Sequence, residues 1–226
     1  MKKGTQNDIA YGVAKAILGS VPIIGAAASE LLQLIVTPPL ERRRDKWMAE
    51  VGQRLKELEE KQIVNLENLA TDELFIDVVL KTTQLALLTS QQDKIEYFKN
   101  AVLNAAVDEN FEISEAEMFL KLISDFTVWH IRILKLFDDP EKWFKINDKT
   151  IPNYLSGSLS AILDIAYPEL KSKREFTELI WGDLSRAGLH NSGALHVSMS
   201  SSGLMQQRTT NLGQDFLSFI AENPLN

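Results

Sequence analysis

Three histidines, His130, His190 and His196, are the only side chains in this 226-residue sequence that ordinarily titrate near neutrality, and no cysteine accompanies them. Their spacing matches neither H-x-x-x-H nor H-E-x-x-H, so no metal site on a single helix is expected. Asp125 lies close to His130, but Thr127 is placed to break a helix between them, and His130 reads as a partly buried helix residue. Without cysteine there is no thiolate nucleophile, disulfide or thiolate zinc site. The chain holds no G-x-S-x-G, P-loop or G-x-G-x-x-G phrase. Adjacent carboxylates such as Asp138 and Asp139 stand where helix caps are expected. These residues predict a protein that is not an enzyme and takes no cofactor, metal or small-molecule substrate.

The charged side chains suggest binding chemistry instead. The net charge of -7 repels nucleic acid and anionic membranes, so contact with either needs a local basic patch. One candidate is Arg42, Arg43 and Arg44, followed by Lys46, an anion-binding cluster at the start of a charged helix. Glu57, Glu59 and Glu60 lie towards the end of that helix. This polarity opposes the helix dipole, so the arginines should have partners, either carboxylates of this chain or an external anion. A second candidate is Lys173, Arg174, Trp181, Arg186 and Arg208, a surface for a protein partner or DNA. Glu175, Glu178 and Asp183 dilute its charge, which favours protein contact, with an exposed Trp181 as the anchor. A third is apolar: Gly12, Ala16 and Ser20 recur four apart, and Gly25 opens a further run of small residues. Small residues at that spacing let helices approach closely, as in membrane helix pairs. The uncharged stretch between Lys15 and Glu30 falls short of the ~20 residues of a spanning helix. A sheltered hairpin is therefore expected, with membrane contact only after a conformational change.

The elements that must position these groups are mostly helices. Hydrophobic residues make up 45% of the chain and charged residues 24%, enough apolar surface for a core. Thr5 to Asp8 has capping-box spacing, and a helix to about Ser20 is predicted, then a second over about 24–36, stopped by Pro38 and Pro39. A charged helix over about 40–62 carries the apolar stripe Trp47, Val51, Leu55 and Leu58. Residues 65–70 read as a loop, and Thr71-Asp72-Glu73 opens a long helix. Capping-box spacings at Ser90, Ser114 and Ser172, and caps at Thr127 and Asp139, predict further helix starts. The fold class predicted is mainly α: a helical bundle over 1–147, then a small α+β module over 148–226 with a two-stranded hairpin. The strands are expected at about 194–199 and 204–209, around a Ser200–Gly203 tip.

The module's order resembles a winged-helix domain. A helix ends in Asp183-Leu184-Ser185-Arg186-Ala187-Gly188-Leu189, a hairpin follows, and Thr210-Asn211-Leu212-Gly213-Gln214-Asp215-Phe216 closes it. A broader likeness covers Thr71 to Phe75, Ala105 to Val107, Phe111 to Phe126, Trp129 to Phe137 and Asp183 to Leu189. That order is similar to the abortive infection alpha (Abi-alpha) family of bacterial proteins, and the resemblance implies a cytoplasmic phage-defence component. Such a component would act through protein contacts, homo-oligomerisation or a membrane-active N-terminal segment. The alternative is a winged-helix transcription regulator that binds DNA.

Overall fold

The computed structural model describes residues 26–108, 111–152 and 155–222, with side chains from Leu40 onward. Gly12, Ala16, Ser20 and Gly25, and the hairpin they were expected to form, lie outside the described residues. The fold class agrees with expectation: helices throughout, with one small antiparallel pair of strands. Eleven α-helices are described. They are α1 Ala26–Glu60, α2 Leu66–Leu69, α3 Glu73–Leu88, α4 Gln92–Val107, α5 Ile113–Asp125, α6 Val128–Asp138 and α7 Pro140–Ile146. Then come α8 Leu159–Ala166, α9 Arg174–Arg186, α10 Ser201–Leu204 and α11 Asn211–Phe219, with a 3-10 turn at Pro168–Leu170. Strand β1 is Ser156–Ser158 and β2 is Ser198–Ser200. No described helix is long and apolar enough to cross a membrane.

Where a cap side chain bonds its helix, the start falls as expected. Asp72 accepts from Phe75 N–H at 2.7 Å to open α3, and Asp139 accepts from Lys142 N–H at 2.9 Å, with Pro140 in the first turn of α7. Several starts differ. α4, α5 and α9 begin after Gln91, Glu112 and Lys173, none of which caps with its side chain, so Ser90, Ser114 and Ser172 are not the caps. The 65–70 segment is not wholly loop, because Asn65 accepts from Asn68 N–H at 3.1 Å and nucleates α2. Pro38 and Pro39 do not stop a helix: α1 runs through both. Each proline withholds one N–H, but the turns on either side still propagate.

The strand pair also differs in its members. β2 pairs with β1, in register Ser156↔Ser200, Gly157↔Met199 and Ser158↔Ser198, not with residues 204–209. Ser200 accepts from Gly203 N–H at 3.3 Å and starts α10, so the expected hairpin tip is a helix. From 204–209 only Thr209 pairs, in a single bridge to His190.

Contacts divide the chain between Arg54 and Leu55. In the first unit Trp47 and Val51 are buried, as the stripe predicted. The second unit, Leu55–Asn226, includes residues on both sides of position 147. Its core is aromatic: Phe119 lies 5.6 Å from Phe216 and 5.5 Å from Phe219, and Phe126 meets Phe216 edge-on. Asn104 donates to the Ser218, Phe219 and Ala221 carbonyls, and Asn100 to Ile220, satisfying the C-terminal end of α11.

Candidate functional site

The second helix of the C-terminal pair, α9, turns Thr177, Ile180, Trp181 and Leu184 inward at helical spacing. Trp181 is 4% exposed. Its indole N–H donates to Gly193 O at 2.8 Å, its ring stacks on His190 at 3.7 Å, and it meets the Phe137 ring at 5.1 Å. The expectation of Trp181 as an exposed partner anchor is therefore corrected: the indole is core, with its polar edge already satisfied.

The cations grouped with it point in different directions. Lys173 is exposed at the start of α9. Arg174 Nε donates to Glu178 Oε1 at 2.9 Å, and Arg186 pairs with Asp183. Both arginines are largely exposed, so each pair is worth no more than about 1 kcal/mol, but the carboxylates cancel the local positive charge. Arg208 is half-buried and turned inward, donating to Gly203 O and lying 3.2 Å from Met199 Sδ. Desolvation pushes its pKa below the usual arginine value. Arg208 therefore braces the β2–α10 segment and does not join Arg174 and Arg186 on one face.

His130 is brought against Asp183, which no spacing in the sequence signals. Nδ1 accepts from the Thr127 N–H at 3.1 Å, so Nε2 carries the proton and faces Asp183 Oδ2 at 3.3 Å. Thr127 Oγ1 lies 2.9 Å from Nδ1, making a hydroxyl–imidazole–carboxylate series. The lone pair that would deprotonate the hydroxyl is already engaged by the backbone N–H. The arrangement therefore ties the start of α6 to α9 and leaves no free base. Burial lowers the His130 pKa, against the opposing pull of Asp183.

Beside Trp181, an open cleft of about 370 Å³ runs between α9 and residues 190–195. Glu178, Ser185, Ser192 and Gly193 line it together with the Trp181 and His190 rings. His196 Nε2 reaches Glu178 Oε1 at 3.2 Å and holds the loop to the helix. The Ser192 hydroxyl is buried with no hydrogen-bond partner among the described residues. No motif in the sequence signals this site, where Glu178 is one acidic residue among the charged ones of its helix.

A second unpredicted feature is the outer face of α3. Ile76, Leu80, Gln84 and Leu88 recur four apart and are all exposed, Leu80 at 57% and Leu88 at 78%. Phe75, Val78, Thr82 and Ala86 fill the inner face, so α3 is apolar on both sides. Lys81 and Glu117 form an ion pair between α3 and α5 beside a groove between those two helices.

In the first unit, Arg42 and Arg43 are exposed and Arg44 half-exposed, and Arg44 Nη2 meets Asp45 Oδ1 at 3.4 Å. Comparison of the chain with family models, curated proteins and solved structures finds no match.

Proposed function

We propose that this chain is a non-enzymatic interaction protein whose contact surface is the outer face of α3, with a second copy of the chain as occupant. The observation that carries the reading is the exposed stripe of Ile76, Leu80 and Leu88 on a helix whose opposite face is already core. The outward face of a surface helix is ordinarily polar, so an exposed apolar stripe opposite the core marks a place for a partner. Between Ile76 and Leu88 the stripe holds only uncharged Leu80 and Gln84. Two copies pairing antiparallel across a twofold axis would therefore meet without like charges opposed, and Glu73 of each would lie at the far end from the other. The abortive-infection setting implied by the resemblance is compatible with such an assembly, and adds no residue to it.

The test is light scattering on the full chain over a range of concentrations, with Leu80→Glu and Leu88→Glu combined. We expect a concentration-dependent dimer, and a variant that stays monomeric with an unchanged circular dichroism spectrum. A chain that is monomeric at every concentration would overturn self-association. The DNA reading predicts salt-sensitive duplex binding that Arg174→Ala with Arg186→Ala weakens. That result would replace the present proposal.

A further inference from the structure

The cleft beside Trp181 has a definite chemical bias. Glu178 is its one charged lining residue. Arg174 Nε donates to Oε1 of that carboxylate, and His196 Nε2 lies 3.2 Å from the same oxygen, which leaves Oε2 for a further donor. His190 has no valence to spare. Nε2–H donates to the Trp181 carbonyl at 2.8 Å, and Nδ1 accepts from the Ser192 N–H at 3.2 Å. Burial holds it neutral by lowering its pKa. The Trp181 N–H is likewise committed, to Gly193. What remains is Glu178 Oε2, which can only accept, with the exposed Ser185 hydroxyl and the buried Ser192 Oγ, each of which can accept or donate. A buried hydroxyl without a partner is uncommon in a folded protein and marks a place where a polar atom belongs. An anion would face the carboxylate with no cation lining the cleft to receive it, and a neutral ligand would forgo the charge-assisted bond.

We propose that this cleft binds a primary alkylammonium group. Glu178 Oε2 serves as counter-ion, Ser192 Oγ accepts a second N–H, and the alkyl stem lies along the apolar wall that includes Leu195. The volume suits a group the size of a lysine side chain or a short diamine. The group arrives either on a free amine or on a lysine of another protein. The site is separate from α3, and the inference does not rest on the self-association proposed above.

The test is an NMR titration of the ¹⁵N-labelled full chain, following the Gly193 amide and the tryptophan indole N–H signals. Cadaverine, a lysine-containing peptide, the same peptide with its lysine ε-amine acetylated, and 1-pentanol are added separately. We expect saturable shifts with the two amines only, weakened about tenfold by Glu178→Gln and to a smaller extent by Ser192→Ala. Tighter binding of the peptide assigns the group to a partner's lysine, and equal or tighter binding of cadaverine assigns it to a free amine. Acetylating the lysine puts the question without altering the protein, so the test stands even where a variant folds poorly. The proposal is overturned by the absence of saturable shifts, by equal binding of the acetylated peptide or pentanol, or by a folded Glu178→Gln that binds as the native chain does.

Discussion

His190 and His130 show how a residue's surroundings, more than its type, decide its chemistry. Each is buried, with one ring nitrogen accepting a backbone N–H and the other facing an acceptor. Protonating His190 would cost the bond from Ser192 and place a charge in a buried site. Both folded-state pKa values therefore lie below the ordinary 6.5, chiefly through burial. As pH falls through 6.5 the unfolded chain takes up protons that the folded chain refuses, so stability is intact above that value and declines below it. Melting temperatures between about pH 7.5 and 5.5 should fall. His190→Gln should be less stable at the upper end but flatter across the window. An equally steep decline in the variant would show that His190 does not couple folding to protons. The same logic explains Trp181. Its type and position suggested an exposed anchor, but burial is set by Phe137 and His190, which lie 44 residues before it and nine after it. Sequence periodicity places a side chain on a face of its helix without saying what covers that face.

At the scale of elements, the legible parts were those written locally. Asp72 and Asp139 cap the helices they were expected to open, because an oxygen one side chain away satisfies a free N–H. The phrases around Gly188 and Gly213 are local too, and the structure supplies their reason. Gly188 ends α9 at φ 73°, and Leu189 N–H returns to Leu184 O at 3.0 Å. Thr210 then bonds both Gly188 O and Leu189 O, and α11 starts so close that a Cβ on Gly213 would overlap the Leu189 carbonyl. Those two phrases dock the start of α11 on the end of α9. Gly213→Ala should cost about 2 kcal/mol by forcing that backbone contact apart, and Gly188→Ala about 1 kcal/mol by strain at positive φ. Gly52→Ala, inside α1 with open space around it, should stabilise by up to about 1 kcal/mol. Urea midpoints of the three variants test the ranking, and a harmless Gly213→Ala would remove the docking argument. Less legible were the strands. Ser156–Ser158 and Ser198–Ser200 are short runs of serine, glycine and methionine with no apolar alternation, so nothing local sets their register. Ser114 lies inside α5 and not at its cap for a related reason: spacing permits the capping bond, but the turn before it decides whether the bond forms.

For the molecule as a whole, the question is whether residues 148–226 are a module that stands alone. The composition change at 147–157 suggests so. The packing of Leu55–Asn226 argues the other way. Phe216 and Phe219 of α11 are fully buried, and they are covered by Phe119 and Phe126, which belong to α5 and the turn after it. The ends of the α11 carbonyl ladder are bonded by Asn100 and Asn104 of α4. The segment before α11 is held to α6, through Arg208 N–H to Phe137 O at 2.8 Å and Thr209 Oγ1 to Asp138 at 2.6 Å. Burying a phenylalanine is worth about 1.5–3 kcal/mol. Uncovering Phe216, Phe219 and the Phe137 side of Trp181 together would therefore consume most of the roughly 5–15 kcal/mol by which a domain of this kind is stable. A chain of residues 148–226 should have little helical signal and no cooperative melt, whereas residues 55–226 should unfold in a single transition. A sharp, independent melt from residues 148–226 would restore the two-part organisation. It would also free α9 and its cleft to act apart from the bundle, a freedom that the Phe119–Phe216 contact denies in the intact chain.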